Sequence, residues 1–417
     1  MSHNDCTRRA LGITDANITF DPENFNHYER RGAIKLLVYE GKLTYQVSRC
    51  PQCGYENKLV HNGTKLVELK MPCINNYVTI LRLHKQRFYC RNCHASFMAH
   101  TPVMHKHCSI ADVTKKMIKQ WCLKDVSEKE IAQQINISPS SVNRCINHIS
   151  AHRVRFSQPL PRHICFDEFR SIGSRMSFIC IDGDSHQLLE LLPDRLIKTI
   201  KHFFNGFDLN NRKRVTSVVM DLNANYGRII HGLFPNAKIV IDRFHLVQML
   251  GRSLDDTRVK VGKQLPTKSR ERHVLKSQWK VLKKPVDKLD EVHRKYRYRL
   301  HEYLSDFEVI DICLSTSPKL NHDWLAYQAF LTAMQNRNEH DFEVCLGQYD
   351  SAGTAMDQTV KTFKKNLRDI KHSLETNLSN GPLEGTNRKI KQIKRTACGY
   401  HNLNHYFNRI WLEVTHH

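Results

Sequence analysis

The chain lacks long apolar runs. None of its 417 residues lies in a stretch approaching the roughly 20 consecutive apolar residues of a membrane-spanning helix, and no apolar run near the N-terminus has the length and flanks of a secretory signal. We therefore expect no membrane partner and a cytoplasmic location. In that reducing compartment the 14 cysteines are core residues, metal ligands or incidental, and not disulfide partners.

Acidic residues are few relative to basic ones. The sequence has 41 Asp and Glu against 64 Lys and Arg, a formal net charge of +23, and the excess is spread along the chain and not confined to a tail. Such a distribution predicts a long polyanionic partner. Charge alone indicates nucleic acid without separating DNA from RNA. With 40% hydrophobic residues, the chain can form two or three packed domains.

Residues 1–45 form a weakly patterned N-terminal segment to which we assign no chemistry. Two strand-like runs, Ile34 to Tyr39 and Leu43 to Val47, predict a hairpin that turns at Glu40-Gly41. The cysteine pattern begins directly after this segment.

Two Cys-x-x-Cys motifs give the first strong signal. Cys50 and Cys53 flank Pro-Gln, and Cys90 and Cys93 follow after an interval of 36 residues. A redox motif would be single and would open a helix, so this spacing predicts a four-thiolate zinc ribbon over residues 46–105. Bound zinc would supply folding energy to a segment with little core of its own. Cys73, His84 and His94 are further candidate ligands, which are either bystanders or, for one of them, a replacement for one of the four thiolates.

Residues 109–155 are predicted to form a helix-turn-helix DNA-binding domain. Ser127 and Glu130 make a capping box, and Asn136 ends the helix that they begin. A second helix starts near Pro139, and its polar, uncharged outward face beside a zinc ribbon favours DNA reading over a plain helical hairpin. The predicted DNA-contacting residues of this helix are Ser140, Ser141, Asn143 and Arg144.

An alternating α/β pattern begins after Pro159 and Pro161. Strand-like runs at 163–167, 175–181 and 187–192 predict a three-stranded meander, and helices and strands then alternate to a helix from Arg243. This order is that of an RNase H-like fold, a mixed sheet with flanking helices, which we assign to residues 160–251 and 373–417. In that layout Asp167 and Asp221, each closing a strand, approach each other although 54 residues separate them.

A third acid opens the run from Asn380 to Thr396. This run predicts a helix with Leu383, Ile390 and Ile393 on one side and bases on the other. Glu384 is either a solvated partner of Arg388 or a metal ligand delivered to bound phosphodiester, because the flanking cations would hold DNA where that acid works. The cations predicted to contact DNA are Arg388, Lys389, Lys391, Lys394 and Arg395.

The three acids form a two-metal carboxylate set. Hard Mg²⁺ suits an all-carboxylate site, so we expect Asp167, Asp221 and Glu384 to hold two Mg²⁺ ions, with Mn²⁺ as the alternative. Glu168 should face away from the site as a structural residue. Asp242 is read as an N-cap. His245 is either a core or capping histidine or a contact of the scissile phosphate.

Between these catalytic segments, residues 252–372 are predicted to form an all-helical insertion. Residues 252–300 hold sixteen Lys or Arg against six Asp or Glu, an excess that predicts contacts with the nucleic-acid backbone. We interpret Trp279, Trp324 and Tyr327 as packing residues. The insertion explains why Glu384 lies 163 residues beyond Asp221. The overall class is multi-domain α/β.

With these motifs in place, the chain resembles the transposases of the ISL3 group of bacterial insertion sequences over about residues 45–412. Asn380-Gly-Pro-Leu-Glu384-Gly-Thr-Asn387 and the tetrad Asp242-Arg-Phe-His245 carry the resemblance. It implies a DDE transposase that binds terminal inverted repeats of double-stranded DNA, nicks them, and joins the freed 3′-hydroxyl to target DNA. It also implies that His245 lies near the active site and that the protein works at the nucleoid. Because two ends are paired, we expect a homodimer at that stage.

Two other functions stay open at this point. One is a DNA-binding regulator derived from a transposase, without catalysis, although no predicted catalytic acid is missing. The other is a structure-specific nuclease of the same fold, which would cut branched DNA without terminal-repeat specificity. Inverted repeats flanking the reading frame would favour the transposase over the regulator.

Overall fold

The computed structural model describes residues 2–151, 159–222 and 226–415. The chain divides into two units, one of residues 1–155 with 388–417 and the other of residues 156–387. The predicted helix start near Asn223 and the predicted end of the helix-turn-helix domain at residue 155 lie outside the described ranges. Within those ranges, no helix has the length and apolar composition to cross a bilayer.

The first unit begins with helix α1 (His3–Ala10) and a six-stranded sheet. Strand β3 is central and pairs in parallel with β5, whereas the other pairs are antiparallel. The cysteine-bearing turns lie at one end of this sheet. The strands are β1 (Ile18–Phe20), β2 (Asn26–Arg31), β3 (Ile34–Leu43), β4 (Leu59–Lys70), β5 (Val78–Cys90) and β6 (Ser96–Met98).

The predicted hairpin at Glu40-Gly41 is wrong, because β3 runs straight through these residues. The chain turns earlier, at Gly32, whose positive φ of 61° suits a tight turn. Gly41 serves close packing instead, since a Cβ there would lie 3.2 Å from the Phe20 ring.

Three helices follow the sheet in the first unit: α2 (Asp112–Cys122), α3 (Glu128–Ile135) and α4 (Pro139–Ala151). The predicted capping box is present, since Ser127 Oγ accepts from the Glu130 N–H and the Glu130 carboxylate accepts from the Ser127 N–H. Asn136 ends α3 in the left-handed conformation, with φ 52°. Val142 and Ile146 of α4 are buried against the other two helices.

The second unit is built on a five-stranded mixed sheet of order β11-β10-β7-β8-β9. Strands β7, β8 and β9 form the predicted antiparallel meander, and β10 and β11 add in parallel beside β7. The strands are β7 (His163–Arg170), β8 (Met176–Asp182), β9 (Leu188–Leu192), β10 (Ser217–Met220) and β11 (Lys238–Ile241). The helices between them are α5 (Ile197–Asn205), α6 (Leu209–Lys213) and α7 (Gly227–Leu233).

A mostly helical block follows β11 and shares one continuous apolar core with the sheet. Our prediction that residues 252–372 are entirely helical is wrong, because strands β12 (Lys295–Arg297) and β13 (Glu302–Leu304) form a hairpin within them. The alternating basic and aromatic residues there have the period of a strand and not of a helix. The helices are α8 (Arg243–Gln264), α9 (Arg270–Ser277), α10 (Trp279–Leu282), α11 (Asp306–Leu314), α12 (Pro318–Gln335), α13 (Glu339–Gln348), α14 (Ala355–Lys365) and α15 (Leu367–Glu375).

Two helices complete the chain, α16 (Gly381–Thr396) and α17 (Leu403–Val414). The predicted apolar face of α16 is buried. We expected residues 373–417 to lie in the catalytic domain, but α17 packs on α2 and α4 of the first unit. Its buried Arg409 donates to the carbonyl oxygens of Cys122 and Val126 at 3.3 and 3.0 Å and pairs with Glu413 at 2.5 Å. These long-range contacts are invisible to helical periodicity.

Candidate active site

Asp167 and Asp221 lie at the same edge of the second unit's sheet. The parallel register pairs Ile164 with Val218 and Cys165 with Val219, and the same register sets Asp221, just beyond β10, beside Asp167. Both acids line one open cleft of about 310 Å³. The two acids therefore lie side by side at one cleft, as predicted.

Asp167 is held in a largely buried position. Its Oδ1 accepts a hydrogen bond from the Glu168 backbone N–H at 2.7 Å, and its Oδ2 accepts one from Asn387 Nδ2 at 2.6 Å. Burial raises the pKa of Asp167 to about 6, and the nearby Asp221 carboxylate acts in the same direction. Because these surroundings destabilise the ionised carboxylate, a cation bound beside Asp167 would stabilise it.

The tetrad that begins at Asp242 contributes a second pair of groups. Asp242 occupies the N-cap position of α8, yet its side chain makes no capping hydrogen bond and instead accepts from His245 Nδ1 at 3.0 Å. Asp221 Oδ1 lies 2.9 Å from the same nitrogen but is not aligned with its N–H bond. Contacts with the Asp221 and Asp242 carboxylates raise the pKa of His245 to about 10, so the ring is a cation at neutral pH.

The start of α16 is fixed to this site by two asparagines for which the sequence predicted no role in the site. Asn380 is buried; its Nδ2 donates to the Phe166 carbonyl oxygen at 3.2 Å, and its N–H donates to Asp242 Oδ1 at 3.4 Å. Asn387 holds Asp167 as described above. Their spacing could have indicated this role: they lie four residues before and three residues after Glu384, which places all three side chains on one helix face.

Glu384 lies in the first turn of α16, and its exposed carboxylate has no partner among the described residues. The ligand oxygens of Asp167, Asp221 and Glu384 do not all lie within 4.8 Å of one another. The three predicted acids thus do not form one compact metal-binding group in this structure. Asn387, one turn along the helix, anchors the face from which Glu384 projects.

Glu168 lines the same cleft as Asp167, whereas we expected it to face away. Its carboxylate accepts a hydrogen bond from Tyr226 Oη at 2.6 Å and pairs with Arg195. These partners satisfy its charge, which fits the structural role expected for it. Burial and the Glu168 carboxylate together raise the pKa of Tyr226 well above its usual range.

Asp221, which lines the cleft, belongs to a group of two carboxylates and one imidazole that suits a cation. One ligand atom each from Asp221, Asp242 and His245 lies within 4.8 Å of the others. Asp221 Oδ1 and the side-chain oxygens of Asn380 and Asn387 are buried without a hydrogen-bond donor among the described residues. Buried acceptors without donors are costly, so an oxygen-seeking divalent ion fits this donor set.

The four cysteines of the predicted ribbon converge in the first unit. Cys50 Sγ lies 3.6 Å from Cys93 Sγ, and Cys53 Sγ lies 3.8 Å from Cys90 Sγ. A tetrahedral zinc ion with Zn–S bonds of about 2.3 Å requires S···S edges of about 3.8 Å, so the thiols fit it. The Tyr55 N–H lowers the pKa of Cys53 to about 6, toward the thiolate form that metals bind.

A basic groove runs from the sheet of the first unit to α4. It joins a space of about 760 Å³ beside β4 and β5 to one of about 410 Å³ beside α4, and no described lining residue is acidic. Lys65 and Lys85 face each other across the β4–β5 ladder without an acidic partner in the described chain. Burial, then the Lys65 charge, lowers the pKa of Lys85. Two of the predicted DNA-contacting residues, Ser141 and Arg144, line the groove.

The other residues predicted to contact DNA differ in their exposure and in their side-chain partners. Ser140 is exposed, whereas Asn143 is half-buried and accepts from Asn147 Nδ2 at 3.0 Å. Lys389 is engaged by Asp125 at 2.7 Å and Glu413 at 3.3 Å, so its role is structural in this state. Both acids lie outside α16, so the periodicity of this helix could not predict these ion pairs. The remaining α16 cations comprise exposed and half-buried side chains: Arg388, Lys391, Lys394 and Arg395.

Comparison with known proteins agrees with this arrangement. A family model described as a transposase, of the DDE type and ISL3 group, matches residues 164–410. The transposase for insertion sequence element IS1001 of Bordetella parapertussis is 27% identical over 380 residues, 88% of this chain and 89% of that protein. A Lactococcus lactis subsp. lactis protein named ATP-dependent protease is 34% identical over 110 residues, 26% of this chain and 36% of that protein.

The chain belongs to the ISL3 family of DDE transposases, because the family match covers more than half of its length. The resemblance seen in the motifs is confirmed. The protein is an insertion-sequence transposase that acts on DNA, and its family uses divalent metal ions.

Proposed function

We propose that the chain cuts and joins DNA at the ends of its element with Asp167, Asp221 and Glu384 as the metal-binding acids of an RNase H-like domain. The strand order supports that fold, since an antiparallel meander is extended by two parallel strands. The observation that carries the proposal is the parallel β7–β10 register, which sets Asp167 beside Asp221 in one cleft inside the matched region.

Magnesium is the proposed ion, with manganese as the alternative. The donor set is mostly oxygen, and Asp221 Oδ1, which is buried without a hydrogen-bond donor among the described residues, favours a hard divalent cation. When bound, two such ions activate the attacking oxygen and stabilise the leaving oxygen of an in-line phosphoryl displacement. Such a displacement needs no covalent intermediate with a protein side chain.

The protein's own groups prepare the site for that chemistry. Asn387 orients the Asp167 carboxylate, and Asn380 ties the start of α16 to Phe166 within β7 and to Asp242 just after β11. His245, as a cation, compensates the charges of Asp221 and Asp242 and is proposed to contact the scissile phosphate. A divalent ion at these acids would compete with its proton.

Glu384 is proposed to join the other two acids when DNA is bound. Its carboxylate is exposed and unpartnered among the described residues, so little free energy opposes its movement. The face of α16 that carries it is already anchored at Asn387. A movement of this first helical turn would complete the set.

DNA recognition is proposed to use the first unit. The thiolate cluster would hold Zn²⁺ and fix the strand ends beside the basic groove, where Lys65 and Lys85 would bind phosphates of the terminal inverted repeat. Additional proposed contacts are Ser140, Ser141, Asn143, Arg144, Arg388, Lys391, Lys394 and Arg395. We further propose that two copies pair two element ends as a homodimer.

Cleavage of labelled duplex carrying the element's own terminal repeat tests the proposal. With Mg²⁺, wild-type protein should nick at the repeat boundary, and chelation should abolish the nick. Glu384→Gln should bind the repeat as wild type does and lose nicking by at least about a hundredfold, because a neutral amide is a poor ligand for a hard cation. Glu271→Gln, in α9, is the matched control and should cut normally.

The other functions give different results in the same assay. Binding of the repeat without cutting under any divalent metal, by wild type as well as variant, would identify a regulator. Cutting of branched DNA without preference for the repeat would identify a structure-specific nuclease.

A further inference from the structure

A small hairpin, residues 295–304, exposes three tyrosines on a block that is otherwise helical; we call it the tyrosine hairpin. Tyr296 on β12 lies directly opposite Tyr303 on β13, and Tyr298 follows β12 in the turn. The exposed fractions of Tyr296, Tyr303 and Tyr298 are 38%, 66% and 81%. None of the three therefore serves the apolar core.

The three rings form one continuous aromatic surface. The ring centroid of Tyr296 lies 5.1 Å from those of Tyr298 and Tyr303, edge-on to the first and tilted to the second. Aromatic side chains are the largest contributors of buried area in cores and interfaces, so leaving three together in water forgoes stabilisation unless a partner covers them. The cluster therefore indicates a binding surface.

The base of the hairpin is rigidly attached. Arg297 pairs with the buried Asp306 at 2.7 Å, Arg270 pairs with Glu302 at 2.5 Å, and Leu304 is buried. These contacts fix the strands, so the exposed rings are preorganised and lose little conformational entropy when a partner binds.

The charges around the rings identify the kind of partner. Residues 294–299 read Arg-Lys-Tyr-Arg-Tyr-Arg, so that cations and aromatic rings are interleaved. Three of the four cations, Arg294, Lys295 and Arg297, pair with the acids Glu308, Asp290 and Asp306. The core of a protein–protein interface is depleted in charge, whereas surfaces for single-stranded nucleic acid interleave cations with stacking rings. Arg299, in the turn beside Tyr298, is exposed and has no acidic partner among the described residues.

We propose that the tyrosine hairpin binds an unpaired DNA base, with Tyr298 stacked on the base and Arg299 on an adjacent phosphate. In intact duplex the faces of each base are covered by its neighbours, so a ring can stack only on a base that has left the helix. The proposal rests on the proposed function, because a nick at the repeat boundary interrupts the backbone beside the terminal nucleotide, so that its base can leave the duplex.

Full-length protein and an oligonucleotide of the repeat end carrying 2-aminopurine test this site. Wild type should quench the probe in single-stranded and in pre-nicked DNA. Tyr298→Ala should weaken binding to the single strand about tenfold and remove most of the quenching, whereas Tyr298→Trp should retain both. Val292→Ala, at an apolar residue that is also 81% exposed, is the matched control and should change neither. Affinity for intact repeat duplex should be the same for all variants.

Three outcomes would overturn or separate the proposals. Equal single-strand affinity and quenching for wild type and Tyr298→Ala would overturn the base-binding site. Conversion of a dimer to a monomer by Tyr298→Ala, with single-strand binding intact, would also overturn it in favour of a protein interface. If wild type quenches through Tyr298 but never cuts the repeat, the base-binding site stands and the proposed function fails.

Discussion

Replacing Asn387 tests whether this side chain sets the state of Asp167. Asn387 is buried, and its Nδ2 donates to Asp167 Oδ2 at 2.6 Å. A hydrogen bond from a neutral donor to an ionised acceptor contributes about 1.5–3 kcal/mol. Asn387→Ala should therefore raise the pKa of Asp167 further, from about 6 by about one to two units, because the anion loses a donor.

The expected effect on activity depends on pH. Metal ions bind the ionised carboxylate, so nicking at limiting Mg²⁺ should rise as the pH passes the pKa of Asp167, near 6 in wild type and higher in Asn387→Ala. Near the wild-type midpoint, where half of the wild-type carboxylate is ionised, the variant should cut about 5- to 50-fold more slowly, and alkaline pH should restore part of the rate. Initial nicking rates between about pH 5.5 and 8.5 measure this directly.

Two further variants make the result specific to the donor. Thr386→Ala, next to Asn387 on α16, removes a hydroxyl that donates only to the Pro382 carbonyl oxygen of its own helix, and its pH profile should match wild type. Asn387→Asp keeps the shape but puts a carboxylate against Asp167, and it should cut more slowly than Asn387→Ala. An Asn387→Ala profile that coincides with wild type would refute the assigned role.

Three other predictions concern stability, zinc and DNA. In metal-free protein, Asp167→Asn should raise the free energy of unfolding at about pH 8 by on the order of 1–3 kcal/mol, because wild type loses stability as the pH rises through the raised pKa of Asp167, near 6. Thermal melts measure this gain, which should vanish near pH 4. A gain that persists there would contradict the assignment to Asp167 ionisation. Cys53→Ser should lose the bound zinc and repeat binding, whereas Cys73→Ser, at a half-buried cysteine outside the cluster, should retain about one zinc per chain by elemental analysis. Lys65→Ala and Lys85→Ala should each lower the slope of log affinity against log salt by about one, measured by fluorescence anisotropy, and unchanged slopes would exclude the groove as a phosphate site.

Much of the site's framework could be predicted from the sequence. The apolar runs that lead to Asp167 and Asp221 are visible in the sequence, although β7 continues past Asp167 to Arg170, and a meander followed by a parallel strand leaves these two strands as neighbours. The Cys-x-x-Cys spacing and the Ser127–Glu130 capping box also predict local geometry that the structure contains. The capping box and each Cys-x-x-Cys turn join residues that are close in sequence, whereas the meeting of the two turns and that of the two acids follow from the pairing of strands.

Other features could not be predicted, because they depend on which distant side chain meets which. Asn387 reaches Asp167 across 220 residues, and Lys389 reaches Asp125 across 264. The chain has many asparagines and lysines with the same local pattern, and only packing selects these two. For the same reason periodicity indicated that α17 is a helix and not that it belongs with α2 and α4.

The sequence by itself therefore determined the order of strands β7 to β11, the four cysteine ligands and the two acids that follow apolar runs, because periodicity, capping and ligand spacing act over a few residues. Tertiary structure decided the anchoring of α16 at the cleft, the incomplete set of carboxylates, the basic groove and the exposed tyrosine hairpin. Those properties arise from burial and from long-range hydrogen bonds and ion pairs, which exist only once the chain has packed.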